Sequence, residues 1–145
     1  MRRFRALPYV LAAVLLAACG SDGVTTPEEK KAPTGTFTLQ SVNGKSLPYS
    51  FTTAEDGPGV VFTINSDFIK LELDGKFGET TTVSVTESGQ TIGPATLVVS
   101  GTFVYTAATN AITLSASGGG QISGTVVSDA MTLKDGSDTY VYRIQ

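Results

Sequence analysis

The chain has 145 residues, a single cysteine and no histidine, with 13 acidic against 10 basic side chains. Without histidine, a Ser-His-Asp hydrolase lacks its base, and zinc or copper sites lack their usual nitrogen and sulfur ligands. The acidic balance disfavours binding to nucleic acid or to anionic lipid through charge alone. We therefore expect no nucleic acid partner, no metal and no cofactor.

Residues 1–18 have the composition of a secretory signal peptide. Three arginines, Arg2, Arg3 and Arg5, precede an apolar run at residues 6–18 that ends in small side chains. The run is shorter than the roughly 20 residues that a membrane-spanning helix needs. We therefore predict a cleaved signal rather than a stable membrane span.

The only cysteine, Cys19, directly follows this apolar run. The sequence Leu-Ala-Ala-Cys at residues 16–19 resembles the lipobox of bacterial lipoproteins. The resemblance implies cleavage between Ala18 and Cys19 and acylation at Cys19, which anchors the protein to a membrane. Gly20, in place of Asp, resembles the pattern exported to the outer membrane. We therefore expect a lipid-anchored cell-envelope protein, at the outer membrane and facing the periplasm or the cell surface; an ordinary signal peptide is the alternative.

Residues 19–33 comprise the lipidated cysteine and a predicted flexible tether. This segment is polar, contains two prolines and shows no apolar periodicity. As a coil it has a root-mean-square reach of about 20 Å. Removal of the three leader arginines leaves seven basic against thirteen acidic residues, a net charge of −6. The anchor is therefore expected to depend on the lipid and not on charge.

From residue 34 to residue 145, apolar residues alternate with Thr and Ser between recurring turn residues, as in short β-strands. We predict an all-β domain, a single antiparallel up-and-down meander of 8–9 short strands closed into a small barrel. A sandwich is the less favoured alternative, and the hydroxyl-rich outer positions disfavour a membrane barrel. The predicted turns include Asn43-Gly44, Asn65-Ser66-Asp67, Asp74-Gly75, Ser88-Gly89, Gly118-Gly119-Gly120 and Asp135-Gly136.

Four segments of this domain resemble small lipocalin-like domains of bacterial lipoproteins. They are residues 35–48, 71–77, 101–105 and 140–143. The resemblance implies a calycin-type β-barrel. It also places Phe37 at the position of a conserved tryptophan in larger lipocalins, and Arg143 at that of an arginine that packs across the barrel floor. The fold alone does not imply a ligand.

The alternation of strand residues predicts a ligand-binding interior. Its candidate residues are Phe37, Phe62, Phe77, Leu97, Gly101, Phe103, Tyr140 and Tyr142. Small residues on the same faces, among them Ala116 and Gly124, would leave room beside the aromatic rings. Glu79 and Glu87 share the inward face of one strand, where they would anchor a ligand head group or form part of an acid/base pair. We favour the alternative in which a bulge or strand end turns both to solvent.

No motif in the sequence indicates catalysis, and we expect no enzyme activity. Two functions remain. The first is a membrane-anchored cell-envelope lipoprotein whose barrel binds a small hydrophobic or amphipathic ligand. The second is a non-enzymatic structural or protein-interaction lipoprotein with a solid barrel core. The loop at residues 52–59 would be a lid in the first case and a contact surface in the second. We favour the first.

Overall fold

The computed structural model describes residues 31–53 and 59–145. The predicted signal peptide, its cleavage site at Ala18 and Cys19, and most of the tether lie outside the described residues, as does the centre of the loop at residues 52–59. No segment of the described chain forms a helix suited to crossing a membrane.

The described residues form ten β-strands. They are β1 (Gly35–Val42), β2 (Lys45–Ser46), β3 (Tyr49–Phe51), β4 (Val60–Leu71), β5 (Lys76–Glu87), β6 (Gln90–Thr106), β7 (Ala111–Ala116), β8 (Gln121–Val127), β9 (Ala130–Asp135) and β10 (Asp138–Ile144).

Eight of these strands form a closed antiparallel barrel, with β1 and then β4 to β10 adjacent in chain order. Strand β1 closes it, because Phe37 pairs with Ile144 of β10 on one edge and with Ile69 of β4 on the other. The short strands β2 and β3 pair with β1 and β4 outside this ring. The predicted all-β barrel is therefore confirmed, and the sandwich is excluded.

Alternating residues of the barrel strands fill the interior, because successive side chains of a strand point to opposite faces. The buried apolar residues are Phe37, Leu39, Val42, Ile69, Leu71, Phe77, Phe103, Ile112, Leu114, Val126, Met131, Leu133 and Tyr142. Each large apolar side chain that is fully removed from water contributes about 1.5–3 kcal/mol. With no cysteine among the described residues, this core and the closed ladder of backbone hydrogen bonds hold the domain together.

The predicted turn at Asn65-Ser66-Asp67 is wrong, because β4 continues through it with a β-bulge. The register shifts between Ile64, which pairs with Val83, and Ser66, which pairs with Thr82. Asn65 is the extra residue, and its side-chain amide donates to Ser84 Oγ at 2.8 Å. Side chains normally alternate between the two faces of a strand, and the extra residue of a bulge shifts this alternation by one position. Ile64 and Asp67, three positions apart, therefore both face the interior.

The predicted two-residue turns at Asn43-Gly44 and Ser88-Gly89 are confirmed. All four residues have positive φ, between 49° and 79°. Type I′ hairpin turns require positive φ at both central positions, which Gly adopts without strain and Asn tolerates. The second of these turns joins β5 to β6 at the far end of the two longest hairpin strands.

Strands β4, β5 and β6 are longer than the sequence pattern predicts, with 12, 12 and 17 residues. Strand β6 pairs with β7 only through residues 101–106, whereas it pairs with β5 from residue 90 onwards. Residues 90–99 therefore have one edge that no strand of the described chain pairs. We call the part of β3 to β6 that continues past the barrel the extension. Leu97 lies in it with 54% of its surface exposed.

Arg143 does not pack across the barrel floor as the lipocalin resemblance implies. Its side chain is exposed, and Nη1 forms an ion pair with Asp129 Oδ1 at 2.9 Å. Phe37, at the position of the lipocalin tryptophan, is buried in the core. The closed barrel is thus present without the arginine contact of larger lipocalins.

Two glycines expected to leave room in the interior instead permit close contact between strands. A Cβ atom at Gly101 would collide with the backbone oxygen of Ser115, and one at Gly124 would collide with that of Thr132. Neither glycine has a positive φ, so the constraint is space and not backbone conformation. Neighbouring backbones approach each other most closely where a strand has no side chain.

We expect Gly124→Ala to destabilise the barrel by more than about 2 kcal/mol, because the methyl group forces β8 away from β9. Gly78→Ala is the matched control, since Gly78 also lies in a strand and has nothing within 4 Å of the added atom. Urea denaturation of both variants measures the difference. Equal stability of the two variants would contradict the close approach at Gly124.

Candidate functional site

A cavity of about 400 Å³ lies inside the barrel. Its lining combines buried apolar residues with exposed ones at one end, where the β7–β8 turn and the end of β9 meet solvent. The lining residues are Ile64, Asp67, Ile69, Phe77, Glu79, Thr81, Leu114, Ala116, Gly119, Gly120, Gln121, Ile122, Leu133, Asp135, Tyr140 and Tyr142. Side chains therefore fill one part of the barrel interior, and the cavity opens to solvent at the end formed by the β7–β8 turn and the end of β9.

The structure places only some of the predicted interior residues at this cavity. Phe77, Tyr140 and Tyr142 line it. Phe37 and Phe103 are buried in the hydrophobic core but do not belong to the cavity lining. The cavity therefore takes its aromatic lining from β5 and β10.

The remaining predicted residues, Phe62, Leu97 and Gly101, also lie outside the cavity lining. Phe62 belongs to the extension, partly buried, and stacks on Phe51 with 5.6 Å between ring centroids. Leu97 is on the exposed part of β6, and Gly101 lies against the backbone of β7. The alternation pattern identifies the correct face of each strand but not how far the barrel extends along it.

A buried carboxyl group, that of Asp67, lies at the cavity. Asp67 is 4% exposed and accepts a hydrogen bond from the Tyr142 hydroxyl, 2.9 Å from its Oδ2. Its other oxygen, Oδ1, is buried and has no hydrogen-bond partner of good geometry. A buried polar atom without a partner costs on the order of 1–3 kcal/mol. This oxygen is the feature of the described core that most requires an explanation.

Glu79 lies beside Asp67 and interacts with it directly. Asp67 pairs with Thr81 across β4 and β5, and Glu79 pairs with Ile69, so the two acids are diagonal neighbours on one face. Side chains at such positions are within reach of each other. The side chains of Glu79 and Thr81 both approach the Asp67 carboxyl group. A buried acid, Asp67, and a half-buried acid, Glu79, from adjacent strands therefore lie side by side at the cavity.

Burial changes the acidity of this carboxyl pair. Loss of water raises the pKa of Asp67 to about 6, although its hydrogen bond from Tyr142 opposes the shift. Loss of water, together with the negative charge of Asp67, raises the pKa of Glu79 to about 7. Burial and the same two acids raise the pKa of the Tyr142 hydroxyl, which therefore stays protonated and remains a donor. The carboxyl pair can exchange a proton near neutral pH.

The cavity carries no basic side chain. Its other titratable residues are Asp135 and Tyr140, so every ionisable group that lines it is an acid. Lys70 and Lys76 are exposed and pair with the exposed acids Glu72 and Asp74, outside the cavity lining. Within the described residues, the carboxyl pair therefore has no cationic partner in the cavity.

An apolar surface continues from the cavity along the inner face of the extension. We call it the apolar wall; it consists of Phe51, Phe62, Val83, Val85, Ile92 and Leu97. These residues are in register with one another or with cavity residues across β3 to β6. Ile64, which lines the cavity, pairs with both Tyr49 and Val83. The polar site and the apolar wall are thus parts of one continuous sheet face.

The expectation that Glu79 turns to solvent is wrong, whereas Glu87 is exposed at the end of β5 as expected. Asp67 is not among the predicted interior residues, because Asn65-Ser66-Asp67 has the composition of a turn and is predicted to form one. A signal was present: Asp67 is in period-two phase with Ile69 and Leu71, which are both buried. An acidic residue two positions from buried apolar residues of the same strand is expected to share their buried face.

No protein-family model matches the chain, and no curated protein or solved structure is significantly similar to it. Among the described residues, no group of three or more acidic, histidine or cysteine side chains is arranged to hold a metal ion. The cavity also lacks a cysteine or serine nucleophile. The chemistry that the site offers is hydrogen bonding, attraction of positive charge and proton exchange.

The raised pKa values predict that the domain loses stability as pH rises. In the unfolded chain both acids titrate near 4, whereas in the folded protein their pKa values are about 6 and 7. Between these limits the folded state binds more protons, so the free energy of unfolding falls as pH increases. Glu79→Gln should flatten this decrease and stabilise the protein on the order of 2 kcal/mol at about pH 8, with little effect near pH 4.

Urea denaturation across this pH range measures the effect, with Glu87→Gln as the control because Glu87 is exposed on the same strand. A Glu79→Gln variant with the same pH dependence as the control would contradict the burial of the carboxyl pair.

Proposed function

We propose that this protein is a lipid-anchored lipoprotein of the cell envelope whose barrel binds a small amphipathic molecule. The observation that carries the proposal is the cavity, open at one end, with a buried carboxyl pair and an adjoining apolar wall. Its volume of about 400 Å³ lies within the range of roughly 300–1,000 Å³ typical of small-molecule sites.

The two chemistries of the site support an amphipathic ligand over a purely apolar one. The carboxyl pair and the Tyr142 hydroxyl offer hydrogen bonds deep in the barrel. The apolar wall offers partly exposed aromatic and aliphatic side chains next to the opening, including Phe51 and Ile92. Exposed apolar surface of this kind on a small domain often marks a binding site. A molecule with a polar head and an apolar body would cover both regions.

The sequence at Cys19 supports the proposed location. The lipobox-like residues 16–19 and the polar segment that follows would hold the barrel near a membrane surface. A membrane-anchored domain meets amphipathic molecules at high local concentration, because the anchor confines it to the layer from which they partition. The proposed location and the proposed ligand class are thus consistent with each other.

The cavity favours the binding module over the alternative of a solid barrel that acts through its outer surface. A barrel filled completely by side chains would leave no buried acceptor such as Asp67 Oδ1 beside empty space. We also propose that the protein is not an enzyme. Its buried acids lie beside tyrosine and threonine hydroxyls, and no activated nucleophile lines the cavity with them.

We expect a lipid-free form of the mature chain, which begins at residue 20 and so omits Cys19, to bind one equivalent of the neutral fluorescent probe N-phenyl-1-naphthylamine with increased fluorescence. This chain keeps every strand of the barrel. Ala116→Phe should weaken binding about tenfold or more, because Ala116 lines the cavity and the larger ring fills it. Ala108→Phe is the control, since Ala108 is exposed in the β6–β7 turn. No saturable binding, or equal binding by the two variants, would contradict the proposed function.

We expect the full-length protein, expressed in a bacterium, to incorporate an alkyne-labelled fatty acid and to partition into detergent. Cys19→Ser should abolish both, since it removes the thiol that carries the acyl group. Ser21→Ala is the control, because it changes a neighbouring residue and leaves Cys19 intact. Lipid labelling that persists in the Cys19→Ser variant would disprove the anchor.

A further inference from the structure

Every ionisable side chain that lines the cavity is an acid, and this points to a positive charge on its ligand. Acids or acidic hydroxyls face it from four strands, β4, β5, β9 and β10, and the other lining elements contribute only neutral groups. The polar groups are Asp67 of β4, Glu79 and Thr81 of β5, Gln121 of β8, Asp135 of β9, and Tyr140 and Tyr142 of β10. β7 contributes Leu114 and Ala116, and no lysine or arginine is among the lining residues.

Asp67 is independent support for a ligand that donates hydrogen bonds. It is 4% exposed, and Tyr142 occupies only one of its two oxygens. The other, Oδ1, is buried at the cavity without a partner of good geometry. Buried acceptors in native proteins nearly always have a hydrogen-bond partner, whether from the protein, water or a ligand. Thr81 and Glu79 approach this carboxyl group without a well-aligned hydrogen bond to Oδ1, so a donor on a ligand in the cavity can bind there.

We propose that the ligand is an amphipathic amine whose ammonium group binds between Asp67 and Glu79. This inference rests on the binding function proposed above. An ammonium group supplies three donors and a full positive charge, and no acceptor. It would bond to the open oxygen of Asp67 and to Glu79 together, so that both acids are ionised beside a cation. The apolar body of the ligand then leaves the barrel along the apolar wall.

Electrostatics favours a cation over the alternatives at this position. A buried carboxylate is costly unless it is paired, and two adjacent carboxylates also repel each other. A cation removes both costs, whereas a carboxylate or phosphate head group would add a third negative charge. A neutral hydroxyl would satisfy Oδ1 but leave the charge of the pair uncompensated. Affinity should therefore rank amine above alcohol, and alcohol above carboxylate.

The affinity for an amine should rise with pH between about 5 and 8. The pKa values of Asp67 and Glu79, about 6 and 7, show that the pair is largely protonated at the lower limit and ionised at the upper. An alkylamine stays protonated throughout this range, because its pKa resembles that of lysine, about 10.4. The neighbouring tyrosines remain neutral as well, since burial raises the pKa of both.

The test uses three probes with eight carbon atoms each: octylamine, octanol and octanoate. Each displaces N-phenyl-1-naphthylamine from the mature chain, and the displacement gives its affinity. We expect octylamine to bind about tenfold or more tightly than octanol at about pH 8, and octanoate more weakly than both. The ratio of octylamine affinity to octanol affinity should fall to about threefold or less near pH 5.

Glu79→Gln and Asp67→Asn should each remove most of the preference for octylamine while octanol affinity is kept. Glu87→Gln is the matched control, because Glu87 lies on the same strand and is exposed at its end. Retained octanol binding shows that each variant is folded and that its cavity is intact.

The outcomes separate the two proposals. If the neutral probe and octanol bind but octylamine binds no more tightly, the amine inference is wrong and the binding function stands. If Glu87→Gln lowers the preference as much as Glu79→Gln does, the preference comes from overall charge and the inference is again wrong. If no probe binds, the proposed function itself fails.

Discussion

The fold depends on strand β1 pairing along both edges. Residues 35–38 are hydrogen-bonded to β4, and the same strand pairs with β10. The first and last strands of the described residues therefore meet and leave no open edge in the ring. An open sheet of these strands would expose its apolar face and two unpaired edges to water. Closure turns that face inward, and this enclosed space is what changes the chemistry of the side chains inside it.

Unequal strand lengths explain why the enclosed space is only partly filled. Strands β7 to β10 have six or seven residues, whereas β4 to β6 have 12 or more. The long strands therefore continue past the ring, and the side chains on their inner face lose the opposing strands that would bury them. Within the ring, small residues such as Ala116 leave a cavity. The apolar wall and the opening both follow from this mismatch.

Much of the fold was predictable from the sequence, because its signals are local. Two-residue turns such as Asn43-Gly44 and the alternation of Ile69 and Leu71 with polar residues define strands and their inward faces. The site was less predictable. Asn65-Ser66-Asp67 reads as a turn unless the bulge is known, and a bulge depends on the register of the neighbouring strand. The burial of Glu79 depends on how far the ring of strands extends, which period-two counting does not determine.

The chemistry of the site depends on the direct interaction of buried Asp67 with half-buried Glu79 inside a closed barrel. The measurement that tests it most directly is a pH titration of the side-chain carboxyl ¹³C chemical shifts of Asp67 and Glu79 by NMR. We expect two coupled transitions with apparent pKa values of about 6 and about 7. Independent transitions near 4, the ordinary value for exposed carboxyl groups, would contradict it.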